Sequence, residues 1–138
     1  MKQIPQKELY DFNSENDVAK LIGNRFLCRE GTLLFVGASG IGKSTFCLQM
    51  CCSFALGRDF LGIRPSRELK TVYIQAENDK GDLAEIFKGM CSSLGIQSKS
   101  PESSLLHENL KIFTEDQSTG EEFLSKLETV VRREAPDI

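Results

Sequence analysis

The residues Gly37-Ala38-Ser39-Gly40-Ile41-Gly42-Lys43-Ser44 carry the clearest chemistry in the chain. They satisfy G-x-x-x-x-G-K-[ST], the pattern of a phosphate-binding loop. Without a Cβ, Gly37, Gly40 and Gly42 let the backbone wrap tightly and aim successive N–H groups inward at phosphate oxygens. A helix starting there adds its unpaired N–H groups and the positive end of its dipole. Lys43 can reach the β- and γ-phosphates as a mobile point charge, and the Ser44 hydroxyl is a hard oxygen ligand for Mg²⁺. The candidate nucleotide-binding set runs from Gly37 through Ala38, Ser39, Gly40, Ile41, Gly42, Lys43 and Ser44 to Thr45. A glycine-rich turn that happens to end in Lys-Ser is the alternative. At average composition it arises roughly once in a few hundred sequences of this length.

Glu77 is the second candidate, placed after an apolar stretch in YIQAEND. Carboxylates at the C-terminal ends of strands line the ligand crevice of open α/β sheets, where one can orient or deprotonate an attacking water. An acid in the first turn of the next helix, beside the N-cap candidates Asn78 and Asp79, explains it equally well. Both readings stand on the residues alone. Glu115 and Asp116 read as an acidic loop, Arg132 and Arg133 as a solvated helix end, and His107 as an exposed residue of a polar linker.

The elements that must position these groups follow from periodicity. GTLLFVG, Gly31 to Gly37, is a continuous apolar run between glycines and predicts a strand buried on both faces. A helix from about Gly42 to Leu56 follows, with Cys47, Met50, Cys51 and Phe54 on one face and Gly57 as its stop. After a loop, Lys70 to Glu77 predicts a second strand, and Leu83, Ile86, Phe87, Met90, Cys91 and Leu94 a helix closed by Gly95. QSKSPESS reads as a linker before a third strand, Leu110 to Glu115. The last helix starts at Thr119, in capping-box spacing with Glu122, and presents Phe123, Leu124, Leu127, Val130 and Val131 to a core before Pro136 ends it. An earlier helix is expected from Asn16 to Leu21, with Ser14 as N-cap and Asp17 three residues on. Alternating strands and helices indicate an α/β fold with a mostly parallel sheet and helices on both faces.

Composition bounds the function. With 138 residues, 40% of them hydrophobic, the chain can build a core and needs neither disorder nor disulfide staples to explain it. A net charge of −3, with Lys and Arg scattered, provides no broad basic face for duplex nucleic acid. Apolar runs of a few residues exclude a transmembrane helix, and the polar N-terminus MKQIPQKELYDFNSEND lacks a signal peptide's apolar core, so a cytoplasmic location is expected. Five cysteines without a CxxC pair, and a single His, argue against zinc and for thiols acting as small buried hydrophobes.

The segment LIGNRFLCREGTLLFVGASGIGKSTFCLQMCCSFALGRDFLG, followed by LKTVYIQAENDKGDL, resembles the ATPase core of RecA/DnaB-like proteins. It is most similar to the RepA-type hexameric replicative helicases of plasmids and mobile elements. The resemblance implies ATP and Mg²⁺ as cofactors, Lys43 and Glu77 as catalytic residues, single-stranded DNA as a partner and a homo-oligomeric ring. It also implies residues 1–30 as a helical lead-in and 31–138 as the N-terminal part of a RecA-like core. The family continues from a Pro-Asp pair into a hydrophobic strand ending in the Walker B Asp; here Ala135-Pro136-Asp137-Ile138 is the last text. The resemblance therefore implies a core incomplete at its C-terminus, with the Walker B strand belonging beside the strand that bears Glu77. Two other readings remain open, a nucleotide-binding module without hydrolysis and a P-loop kinase.

Overall fold

The computed structural model describes residues 3–77 and 79–138. The elements in chain order are α1 (Gln6–Tyr10), β1 (Lys20–Ile22), β2 (Leu27–Cys28), α2 (Lys43–Ala55), β3 (Thr71–Gln75), α3 (Lys80–Ser93), α4 (Pro101–Asn109), β4 (Leu110–Thr114) and α5 (Gly120–Glu134). The architecture is α/β, as the alternation of patterns predicts. Its sheet is smaller than expected: β3 and β4 pair in parallel, Thr71 opposite Leu110 through Gln75 opposite Thr114, and β1 and β2 form a separate antiparallel pair.

Helices do cover both faces of the parallel pair. On one face Tyr73 and Ile112 pack with Leu48, Cys51, Cys52 and Ala55 of α2, Met90 of α3 and Leu106 of α4. On the other, Ile74 and Phe113 face Phe123, Leu127 and Val130 of α5 across a hollow of about 380 Å³. A second apolar cluster joins Met50 and Phe54 of α2 to Leu21 and Ile22 of β1, Phe60 and Leu69. The predicted single apolar face of α2 is thus too narrow. Flanked by two clusters, its second half is buried nearly all round, as a central helix must be.

The apolar run before the phosphate loop is not a strand. Residues 31–38 have no regular structure, and Leu33, Leu34, Phe35 and Val36 are 43, 80, 38 and 86% exposed. That alternation is the mark of an extended chain leaning one side on the protein. A strand also needs a neighbour for its N–H and C=O groups, and among the described residues none lies beside it. Phe35 is anchored edge-on to Phe46 at 5.5 Å; Phe46 meets Phe60 at 5.0 Å, which leads into the second cluster.

The expected helix from Asn16 to Leu21 is also absent. Asn13 Oδ1 accepts from the Glu15 N–H and Asp17 Oδ1 from the Ala19 N–H, so these side chains close turns instead of capping a helix. Conversely, the supposed linker holds α4. Ser100 caps it by accepting from the Ser103 N–H at 3.1 Å, and Pro101 occupies its first turn. Asn109, buried at the end of α4, donates to Ala55 O at 2.9 Å and satisfies a carbonyl at the end of α2.

The chain's last residues lie against the other side of β3. Ile138 N donates to Lys70 O at 3.2 Å and Val72 N donates to Ile138 O at 2.8 Å, the bonding pattern of a parallel bridge to Thr71. Asp137 pins them there. Its Oδ1 accepts from Arg29 at 2.9 Å and Arg67 at 2.5 Å, and its Oδ2 from the Lys70 N–H at 3.1 Å.

Candidate phosphate-binding site

The predicted loop has the backbone its glycines imply at two positions. Gly40 and Gly42 adopt φ of 76° and 91°, a region that side chains with a Cβ rarely occupy. A Cβ at either would meet nothing within 4 Å, so the requirement is conformational and not one of space. Gly37 shows no such φ. It lies under the Lys43 stem, where an added Cβ would sit 3.6 Å from Lys43 Cδ.

Gly42 caps α2 without a side-chain bond, and the first turn of the helix contains no acid. Its N–H groups and positive dipole end are therefore left for an anion. The Lys43 ammonium folds back over the loop, donating to Gly37 O at 2.9 Å and Ala38 O at 2.8 Å. Those carbonyls hold the cation at the mouth of the cradle. A phosphate there would exchange two neutral acceptors for charged oxygens, which make stronger hydrogen bonds. Ser44 and Thr45 follow in the first turn and are exposed. The donor set of glycine N–H groups, one ammonium and a hydroxyl fits a nucleotide's phosphates with a divalent cation.

Glu77 lies two residues past the end of β3 and is exposed. Asp79 caps α3, accepting from the Asp82 N–H at 2.9 Å, which leaves Glu77 outside the helix and free of a capping role. Asn78, the other N-cap candidate, lies outside the described residues. One side chain joins the loop to this strand end. Tyr73, in β3, places its hydroxyl 3.4 Å from Ser44 O. Burial raises its pKa first, and the neighbouring Cys47 and Cys51 thiols and Glu77 add to the rise, so the Glu77 carboxylate lies within electrostatic range of the same hydroxyl. Sequence reasoning missed Tyr73 because a Tyr in a strand pattern reads as core.

The other titratable groups serve the scaffold. Glu115 accepts from the N–H groups of Gln117 and Ser118 and pairs with Lys126 at 3.0 Å; the Lys126 bond, then the backbone bonds, bring its pKa down to about 2. Asp116 is exposed. Arg132 bonds Glu128 one turn back, and Arg133 lies over the Phe113 ring at 5.6 Å. His107 is exposed, but in the last turn of α4 and not in a linker. Burial, with Cys47 nearby, pushes the Cys51 thiol up to about 12, and burial also raises Cys52, so both pack as apolar groups. Hollows of about 670 and 750 Å³ around Phe87, Cys91 and Ile96 include no residue of the phosphate loop. Among the described residues, no helix is long and apolar enough to cross a membrane.

No curated protein and no solved structure matches the chain. A family model described as an AAA domain matches residues 3–138. That family comprises P-loop ATPases, which bind ATP and usually use Mg²⁺. With nearly its whole length covered, and a glycine-rich loop opening into an acid-free helix N-terminus, the chain belongs to the AAA domain family.

Proposed function

We propose that Gly37, Ala38, Ser39, Gly40, Ile41, Gly42, Lys43, Ser44 and Thr45 bind the phosphates of ATP, and that Glu77 directs water at the γ-phosphate. The observation that carries this is the Lys43 ammonium poised over a loop whose Gly40 and Gly42 turn it into the free N-terminus of α2. Bound at Ser44, Mg²⁺ would neutralise developing charge on the phosphate oxygens. The chain's own groups do the rest. Loop N–H groups hold the phosphates, Lys43 moves from carbonyls to phosphate oxygens, and Glu77 orients the nucleophile.

In its finer form the proposal is a RecA-like, RepA-type helicase in the cytoplasm, coupling hydrolysis to DNA replication as a homo-oligomeric ring on single-stranded DNA. Residues 1–30 form the lead-in and 31–138 the N-terminal part of the core. The AEND segment around Glu77 supports this, as does the parallel bridge of Ile138 to Thr71, which lies where the resemblance places the Walker B strand. Reading the coding sequence past codon 138 for a hydrophobic strand ending in Asp tests it.

Titration with a fluorescent ATP analogue tests the site itself. Lys43→Ala should weaken binding by about tenfold to a hundredfold, the worth of a charge-assisted hydrogen bond. Glu77→Gln should bind as well as the parent chain yet release phosphate far more slowly. Undiminished binding by Lys43→Ala would overturn the loop assignment, and binding with no phosphate release by the parent would leave a nucleotide-binding module.

A further inference from the structure

Tyr73 presents its ring and its hydroxyl to different neighbours. The half-buried ring packs on the cluster formed by Leu48, Cys51 and Cys52 of α2. Phe would fill that space equally well, so packing alone does not explain the hydroxyl. Its bonding partner is the main-chain oxygen of Ser44, in the first turn of α2, the same residue whose side chain is the candidate cation ligand. At 3.4 Å the contact is long for O–H···O and has room to shorten; polar contacts in ligand-free sites are often long and tighten when the ligand arrives. Glu77 comes four residues after Tyr73, two past the end of β3.

We propose that Tyr73 is a positioning residue: by holding the main chain of Ser44 against β3, its hydroxyl orients the Ser44 side chain toward the divalent cation and couples the loop to the strand end that carries Glu77. The inference rests on the phosphate-loop reading above. A purely structural bond at this exposed position would contribute little to stability. A positioning role shows itself instead in how strongly Mg²⁺ tightens nucleotide binding.

The experiment measures ATP affinity of the full chain with and without MgCl₂ for the parent, Tyr73→Phe, Ser44→Ala and the double variant. Tyr73→Phe should keep its melting temperature and its Mg²⁺-free affinity. It should lose about threefold to tenfold of the tightening that Mg²⁺ provides, the range expected for one hydrogen bond. In the Ser44→Ala background the same change should have no further effect. An unchanged Mg²⁺ dependence, an equal loss with and without Mg²⁺, or a Tyr73→Phe chain that fails to fold would each overturn the proposal. These outcomes leave the loop reading intact wherever the parent binds ATP and Lys43→Ala does not. A parent chain that binds no ATP would overturn both.

Discussion

α2 and α5 have 13 and 15 residues and lie against opposite faces of the same pair of strands, yet they are held in opposite ways. α2 buries Leu48, Met50, Cys51, Cys52, Ser53, Phe54 and Ala55. α5, with the more regular division into apolar and charged sides, buries none of its residues. Leu124 is 60% exposed and Val131 43%, so the expected core stripe narrows to the half-buried Phe123, Leu127 and Val130. The neighbours account for the difference. Clusters on two sides enclose α2, whereas α5 faces β3 and β4 across a hollow. Two strands spaced ~4.8 Å apart are narrower than a helix ~10 Å across. Amphipathic pattern states which side of a helix seeks cover; only the surrounding fold supplies it.

The largest effect that tests this contrast is in α2. Phe54 is fully buried, touches Phe60 edge-on at 6.3 Å, and its carbonyl accepts from the Leu69 N–H at 3.0 Å. Phe54→Ala should cost about 3–5 kcal/mol in chemical denaturation, the range for a core aromatic. A loss below about 1 kcal/mol would show that α2 is no better held than α5.

How far the sequence revealed this molecule depends on how local each cause is. The left-handed turns at Gly40 and Gly42, and α2, β3, α3, β4 and α5, were legible to within a few residues, because their signals are short-range: glycine spacing, apolar period, Gly57 and Gly95 in left-handed conformations after α2 and α3. What failed needed partners or competing side-chain bonds. Leu33 to Val36 has strand composition but no described neighbour to pair with, and Asn13 and Asp17 close turns where a helix was expected. α4 was legible in principle, since Ser100-Pro101-Glu102 is a cap, an N1 proline and a first-turn acid, but the polar residues concealed it. At the candidate site, Lys43, Ser44 and Glu77 were named from the motif and the resemblance. Tyr73 and the Arg29–Asp137–Arg67 group depend on contacts between distant parts of the chain, which no spacing announces.

A smaller effect should come from acid at the other helix. Glu115 ties the loop before α5 to Lys126 within it, and its pKa is held down to about 2 by the Lys126 bond first and by the Ser118 and Gln117 N–H groups next. A depressed carboxylate favours the folded state fully above its ordinary pKa of about 4.5 and loses that contribution as pH falls toward 2. The protection of α5 amides, measured as exchange relative to the unfolded chain at the same pH, should therefore fall between about pH 4.5 and 2 before that of α2 does. Glu115→Gln should remove this pH dependence. Simultaneous loosening of both helices would show that α5 is coupled to the core more tightly than its exposure implies.

The smallest effect separates a helix that simply lacks cover from one whose exposed side already contributes. Leu124 projects from α5 with 60% of its surface in solvent, while the adjacent Phe123 faces the hollow beneath the helix. Replacing it by Lys removes little buried area and places a charge in water, near the acids Glu121 and Glu122 of the same helix. Leu124→Lys should therefore change stability by no more than about 0.5 kcal/mol, as exposed substitutions do. In an isolated chain, a loss well beyond about 1 kcal/mol would mean that Leu124 is buried in solution, by rotation of α5 or by self-association. Dependence of that loss on protein concentration would separate the two. A null result would mean that α5 is held by Phe123, Leu127, Val130 and the Glu115–Lys126 pair, its outer apolar residues adding nothing to the isolated fold.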